Sequence, residues 1–176
     1  ERGHPAVFSY LFFAINIGVF IFQTTLPEGA AAGFVEQYGA IPAEISRGID
    51  LQTLFSSIFL HGSWMHLIGN MLYLWIFGDN IEDRLGSFKY LLFYLAGGLA
   101  ASLTHLIFNP NSQIPTVGAS GAIAAVLGAY LIMYPKSRIA TFIPLGFFMR
   151  LTMLPAAVVL GFWFVLQLFN GVLSIG

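Results

Sequence analysis

Ser120 sits between glycines in the segment Thr116-Val117-Gly118-Ala119-Ser120-Gly121-Ala122, and His66 and Asn70 stand four residues apart in another apolar stretch. A serine hydroxyl can attack an acyl carbon, and the oxyanion that forms then needs fixed N–H donors around it. A helix N-terminus supplies free backbone N–H groups and the positive end of the helix dipole. Glycine at 118 and 121 lets a substrate backbone approach closely. An Asn amide and a His ring one turn apart on a neighbouring helix face add further donors. The pattern is not the nucleophile elbow of soluble hydrolases, because Ala122 replaces that motif's last glycine and no strand precedes it.

Plainer roles compete for the same residues. Gly118, Gly121, Ala125, Gly128 and Ala129 form a stripe of small residues, which usually means close helix packing. A serine there can bond its own backbone, and His66 with Asn70 can bridge two helices. Depth favours the chemical reading. Polar groups in apolar spans are costly and mark function by default, and all three fall near the same end of the segments that carry them.

Those segments emerge from composition. Of 176 residues, 57% are hydrophobic and 9% charged, against roughly 25% charged in an average soluble domain. No charge occurs between Arg2 and Glu28, Asp50 and Asp79, or Lys89 and Lys136, nor after Arg150. Each gap reaches the roughly 20 residues a spanning helix needs. The expected architecture is an all-α, polytopic transmembrane bundle forming a single domain over 1–176, with spans at 6–25, 63–77, 88–108, 120–134 and 151–173. The second and fourth run in the same direction, which places Ser120, His66 and Asn70 in one zone below one membrane surface.

Arg2, Arg84, Lys89, Lys136, Arg138 and Arg150 fall on one side of this arrangement and Arg47 alone on the other. The positive-inside rule makes the N-terminal side cytoplasmic and the site's side external. The external first loop, 27–62, is too apolar for a plain linker and suggests an interfacial amphipathic element. The net charge of −1 and the lack of a basic block exclude nucleic acid as an indicated partner. The absence of cysteine removes thiolate nucleophiles and Cys-ligated metals. The first apolar stretch is too long for a signal-peptide h-region, and a start at Glu1 points to omitted upstream sequence.

Three motifs carry a resemblance. Gly118-Ala119-Ser120-Gly121, His61-Gly-Ser-Trp-Met-His66-Leu-Ile-Gly-Asn70 and Gly78-Asp79-Asn80-Ile81-Glu82-Asp83-Arg84-Leu85-Gly86 occur in order, and the chain resembles the rhomboid family of intramembrane serine proteases along essentially its whole length. The resemblance implies a six-helix core in a bacterial-type cell membrane, cleaving transmembrane segments of other proteins near the outer face without metal or cofactor. It puts the nucleophile on Ser120 and the oxyanion pair on His66 and Asn70, with Gly118 and Gly121 beside the substrate. The family's general base is a histidine on a sixth span, and no residue here matches it. The expectation is therefore five spans of a six-span core, continuing within roughly 30 residues to a helix carrying Ala-His or Gly-His.

The alternative is a catalytically inactive rhomboid-like protein that binds transmembrane clients. Lys89 and Lys136 lie on the far side and cannot serve as base. His105 lies at about the depth of Ser120, where capping or bridging helices is favoured over a role as base. A metal set of His61, His66 and His105 is disfavoured because 61 and 66, five apart, leave one helical face. A transporter is disfavoured by the lack of midplane charges and of an internal repeat. Glu82 to Arg84 is read as a structural ion pair at a helix terminus.

Overall fold

A computed structural model describes residues 6–173, with side chains through 167. Glu1, Arg2 and Gly176, which entered the charge and chain-end readings, lie outside the described residues. The chain divides into two compact units, Glu1–Val126 and Leu127–Gly176.

In the first unit, α1 (Val7–Thr25) is apolar but buries Ser9, Asn16 and Gln23 at seven-residue intervals, together with Phe12 and Phe20. That spacing keeps them on one face. The Asn16 amide satisfies itself on the Phe12 carbonyl at 2.7 Å. The Phe12 ring stacks on Tyr94 of α7 (Ser87–Phe108) with centroids 4.1 Å apart. The first loop is ordered structure and not a linker: α2 (Glu28–Tyr38), α3 (Pro42–Ile45), α4 (Thr53–Ser56) and a 3-10 turn, Ser57–Phe59. Ala40, Ile45 and Leu54 form a buried cluster against Leu99 and Leu106 of α7.

The second apolar segment is longer than its hydropathy suggests. α5 (Trp64–Tyr73) continues through a π-helical turn, Leu74–Gly78, into α6 (Asp79–Leu85). Ser63 caps its start, the hydroxyl accepting the His66 N–H at 3.2 Å. Gly86, at φ +79°, ends it.

Glu82, expected to pair with Arg84, is fully buried and reaches α1. Its carboxylate accepts the N–H groups of Phe8 at 2.9 Å and Ser9 at 2.7 Å, and the Ser9 hydroxyl at 2.8 Å. Ala6 precedes α1 without a side-chain cap, so Glu82 supplies from another helix the anionic acceptor that orphan N–H groups and the helix dipole favour.

α8 (Ser120–Met133) begins in this unit, and the first small residues of its stripe, Gly121 and Ala125, pack closely on α7. A Cβ on Gly97 would stand 2.6 Å from that of Ala125, and one on Gly121 would run into Ala101.

The second unit holds the rest of α8, an antiparallel hairpin of β1 (Arg138–Leu145) and β2 (Phe148–Pro155), and α9 (Ala156–Leu173). The hairpin corrects two expectations. The chain is not entirely α, and 151–155, read as the start of the last span, belong to β2. Gly146, at φ +64°, turns the chain, and the Ala156 N–H donates to the Ser137 carbonyl at 2.9 Å where the helix starts.

Two described helices, α1 and α7, are long and apolar enough to cross a bilayer; α8 and the described part of α9 are apolar but shorter. The protein is mostly helical, as a helical membrane protein should be.

Candidate functional site

Ser120 is the first residue of α8. The Ala119 carbonyl accepts the Ile123 N–H at 2.9 Å, which makes Ala119 the cap. The N–H groups of Ser120, Gly121 and Ala122 therefore have no intrahelical acceptor. The approach to the serine is pinned by the first loop. Ala40 and Thr116 exchange backbone hydrogen bonds at 3.0 and 2.9 Å, and the Thr116 hydroxyl adds a third to the Ala40 carbonyl at 2.8 Å. The Gly118 N–H donates to the Ser57 carbonyl at 2.9 Å.

Gly118 meets the other expected site residues. Its φ of +124° already favours glycine, and a Cβ there would lie 2.6 Å from His66 Cε1, 2.8 Å from His66 Nε2 and 3.8 Å from Asn70 Nδ2. The edge of the imidazole and the amide thus occupy the space that glycine leaves, two residues before the serine. Gly121 lines the serine's cavity and also lets α7 approach. Gly118, His66 and Asn70 come together next to the start of α8, where Ser120 lies, and Gly121 packs against Ala101 of α7 while lining the same cavity as Ser120.

Three further residues belong to the site. His61, buried, holds Asn70: the Asn70 Nδ2 lies 3.0 Å from His61 Nε2, and the His61 and His66 rings meet edge to face at 5.1 Å. Burial, then the neighbouring His66 ring, pushes His61 down from 6.5 to about 4, against an upward pull from the Phe59 backbone. His61 is therefore neutral near pH 7. An amide nitrogen only donates, so Nε2 accepts and the imidazole proton sits on Nδ1. Gln23 of α1 fixes His61 in turn, its Nε2 donating to the His61 carbonyl at 3.2 Å. His105 is the third. It lines, with Ser57, Ser102, Thr116 and Ser120, a cavity of about 200 Å³.

The sequence held a signal for Gln23, a polar side chain on the same stripe as Ser9 and Asn16 inside an apolar helix. It held little for His61, which precedes the helix carrying His66 and Asn70. His61, His66 and His105 do not gather into a group that could hold a metal ion among the described residues.

Chemically, the arrangement offers a hydroxyl at a helix head with free N–H groups beside it. At Gly118, two residues before it, stands an imidazole and amide edge with at least one donor not used internally, since the second Asn70 amide hydrogen is not needed by His61.

Residues 49–176 match the family model described as the rhomboid domain. The chain is 33% identical over 78% of its length to rhomboid protease GluP of Bacillus subtilis, covering 26% of that protein. It is 30% identical over 81% of its length to rhomboid protein 1, mitochondrial, of Saccharomyces cerevisiae, covering 41% of it. Presenilin-associated rhomboid-like protein A, mitochondrial, of Danio rerio is 34% identical over 47% of the chain. The chain thus spans well under half the length of these curated relatives, and they come from both bacteria and mitochondria.

Proposed function

Because the chain belongs to the rhomboid family of membrane-integral proteins, we propose that it carries the nucleophile and oxyanion site of an intramembrane serine endopeptidase. Ser120 Oγ attacks the scissile carbonyl of a transmembrane segment. The oxyanion is met by the Asn70 amide and the His66 ring from α5 and by N–H groups at the head of α8, with Gly118 and Gly121 leaving room for the substrate backbone. The observation that carries this reading is the convergence of His66 and Asn70 on Gly118, beside the helix that Ser120 begins. The family's general base has no counterpart in these 176 residues, and the reading assigns proton abstraction to none of them.

The same reading takes the bundle as a single domain of five spans in the lipid bilayer, with its N-terminus cytoplasmic and the site near the outer face, from the six-to-one split of basic residues. No nucleic-acid partner and no cofactor enter the mechanism. Its substrates are transmembrane segments of other membrane proteins. One competing reading is an inactive rhomboid-like protein that holds transmembrane clients in the same place, since similar proteins include ones named only rhomboid-like.

Covalent labelling separates the two. The intact protein in detergent or vesicles should be modified by a serine-directed fluorophosphonate, and Ser120→Ala should abolish both the label and cleavage of a membrane-anchored reporter. Label that persists in Ser120→Ala rejects the mechanism; a folded protein that never labels supports the client-holding reading.

A further inference from the structure

The hairpin is placed oddly for a soluble loop. In the register Phe142↔Leu151, Pro144↔Met149 and Ala140↔Met153, the face that carries Arg138 and Pro155 at its open end also carries Ala140, Phe142, Pro144, Met149, Leu151 and Met153. All are exposed, Phe142 and Met149 each at 64%. Phe147 at the turn is fully exposed and Phe148 nearly so. The opposite face, with Ile139, Thr141 and Ile143 of β1, is half-buried. An apolar sheet face left open, with two free strand edges, would pair and aggregate in water.

The charges indicate what covers it. Lys136, Arg138 and Arg150 flank or lie within the hairpin, and no Asp or Glu follows Asp83 anywhere in the chain. A hairpin with Arg138 on this face, Arg150 on the other, Lys136 just before β1 and no anion is a poor match for a second copy of itself. It matches a surface that is apolar beneath and negative on top, as the headgroup boundary of an anionic leaflet is. We propose that the β1–β2 hairpin is a lipid-surface element, laying the Phe142–Met149 face and the Phe147 tip into the headgroup boundary while its basic residues engage lipid phosphates. This rests on the chain being membrane-integral and extends it: a connection between two helices becomes a contact that reads the lipid charge.

The test uses the absence of cysteine from these 176 residues. Ala140→Cys, with Met149→Cys as a second site on the same face, places a nitroxide on the intact protein reconstituted in phosphatidylcholine vesicles with and without phosphatidylglycerol. With phosphatidylglycerol the label should be accessible to oxygen and shielded from a water-soluble nickel chelate. Changing Lys136, Arg138 and Arg150 to Gln should return it to nickel. A label at exposed Leu92 of α7 separates the failures. Nickel access at the hairpin with Leu92 shielded overturns this inference alone; nickel access at both positions overturns the membrane reading beneath it. Spin–spin broadening that grows with protein-to-lipid ratio means that a second copy covers the face, and also overturns the inference.

Discussion

Asn70 has two amide hydrogens, and the site uses them differently. One is held by His61 Nε2 at 3.0 Å and fixes the rotamer; the other is the one that the proposed mechanism gives to the oxyanion. Asn70→Ala should therefore lower the rate of reporter cleavage by about 100- to 1,000-fold, the usual cost of one oxyanion donor, with phosphonate labelling of Ser120 slowed in parallel. The anchor is pH-sensitive. His61 is held at about 4 against an ordinary 6.5, so between these values the unfolded chain binds a proton that the folded one excludes. Stability then falls as pH drops below about 6.5 and levels off near 4. A protonated Nε2 could no longer accept the Asn70 amide. Thermal midpoints of the purified protein between pH 7 and 5 should decline, and His61→Gln should flatten the slope; equal slopes in both proteins would refute the assignment.

Between helices, the contact most exposed to a single change is Glu82 on the head of α1. Glu82→Ala leaves two N–H groups and a hydroxyl buried without acceptors, a loss of about 3 kcal/mol or more. Glu82→Gln keeps one acceptor oxygen and should lose less, as measured by unfolding of the protein in mixed micelles. This contact also shows where the sequence stopped being legible. Ser120, His66 and Asn70 stood out because each is polar in an apolar run, and α1 and α7 lie within a residue of their expected limits because long charge-free runs have only one solution in lipid. Glu82 was read against its sequence neighbour Arg84, whereas its partners lie more than 70 positions away. The hairpin was hidden for another reason. Strands announce themselves by alternating apolar and polar residues, and in 138–155 both faces are largely apolar, so the period of two leaves no contrast. Only Gly146 between two runs rich in Ile, Phe, Leu and Thr hinted at a turn.

At the scale of the molecule, the solvent decides what counts as surface. On α7 the exposed positions include Phe88, Leu92, Ala96, Ala100, Leu103 and Ile107, a stripe at helical spacing with no charge. In water a lysine at Ala96 would be nearly neutral, as most surface changes are. In a bilayer it should cost about 2.5 to 3.5 kcal/mol near the middle of a span. Ala96→Lys should therefore reduce the membrane-inserted fraction of α7 in a glycosylation-mapping assay, while Lys at exposed Ala32 of α2 leaves it unchanged. Equal insertion of both variants would place this stripe in water.

The π-helical turn at Leu74–Gly78 works as a phase shifter. In a regular helix, at about 100° per residue, Asn70 and Glu82 would point about 120° apart. The residue accommodated by the wider turn winds the remainder back by about one such step, and both side chains are buried, one at Gly118 and the other on α1. A one-codon deletion inside this turn would therefore be absorbed: the turn would close to regular α-helix, eleven residues at about 100° each would again leave the two side chains about 20° apart, and Glu82 would stay on the head of α1. The turn is thus the place where this helix can lose a residue and keep its angular frame, whereas the same deletion in a regular helix would turn everything beyond it by about 100°.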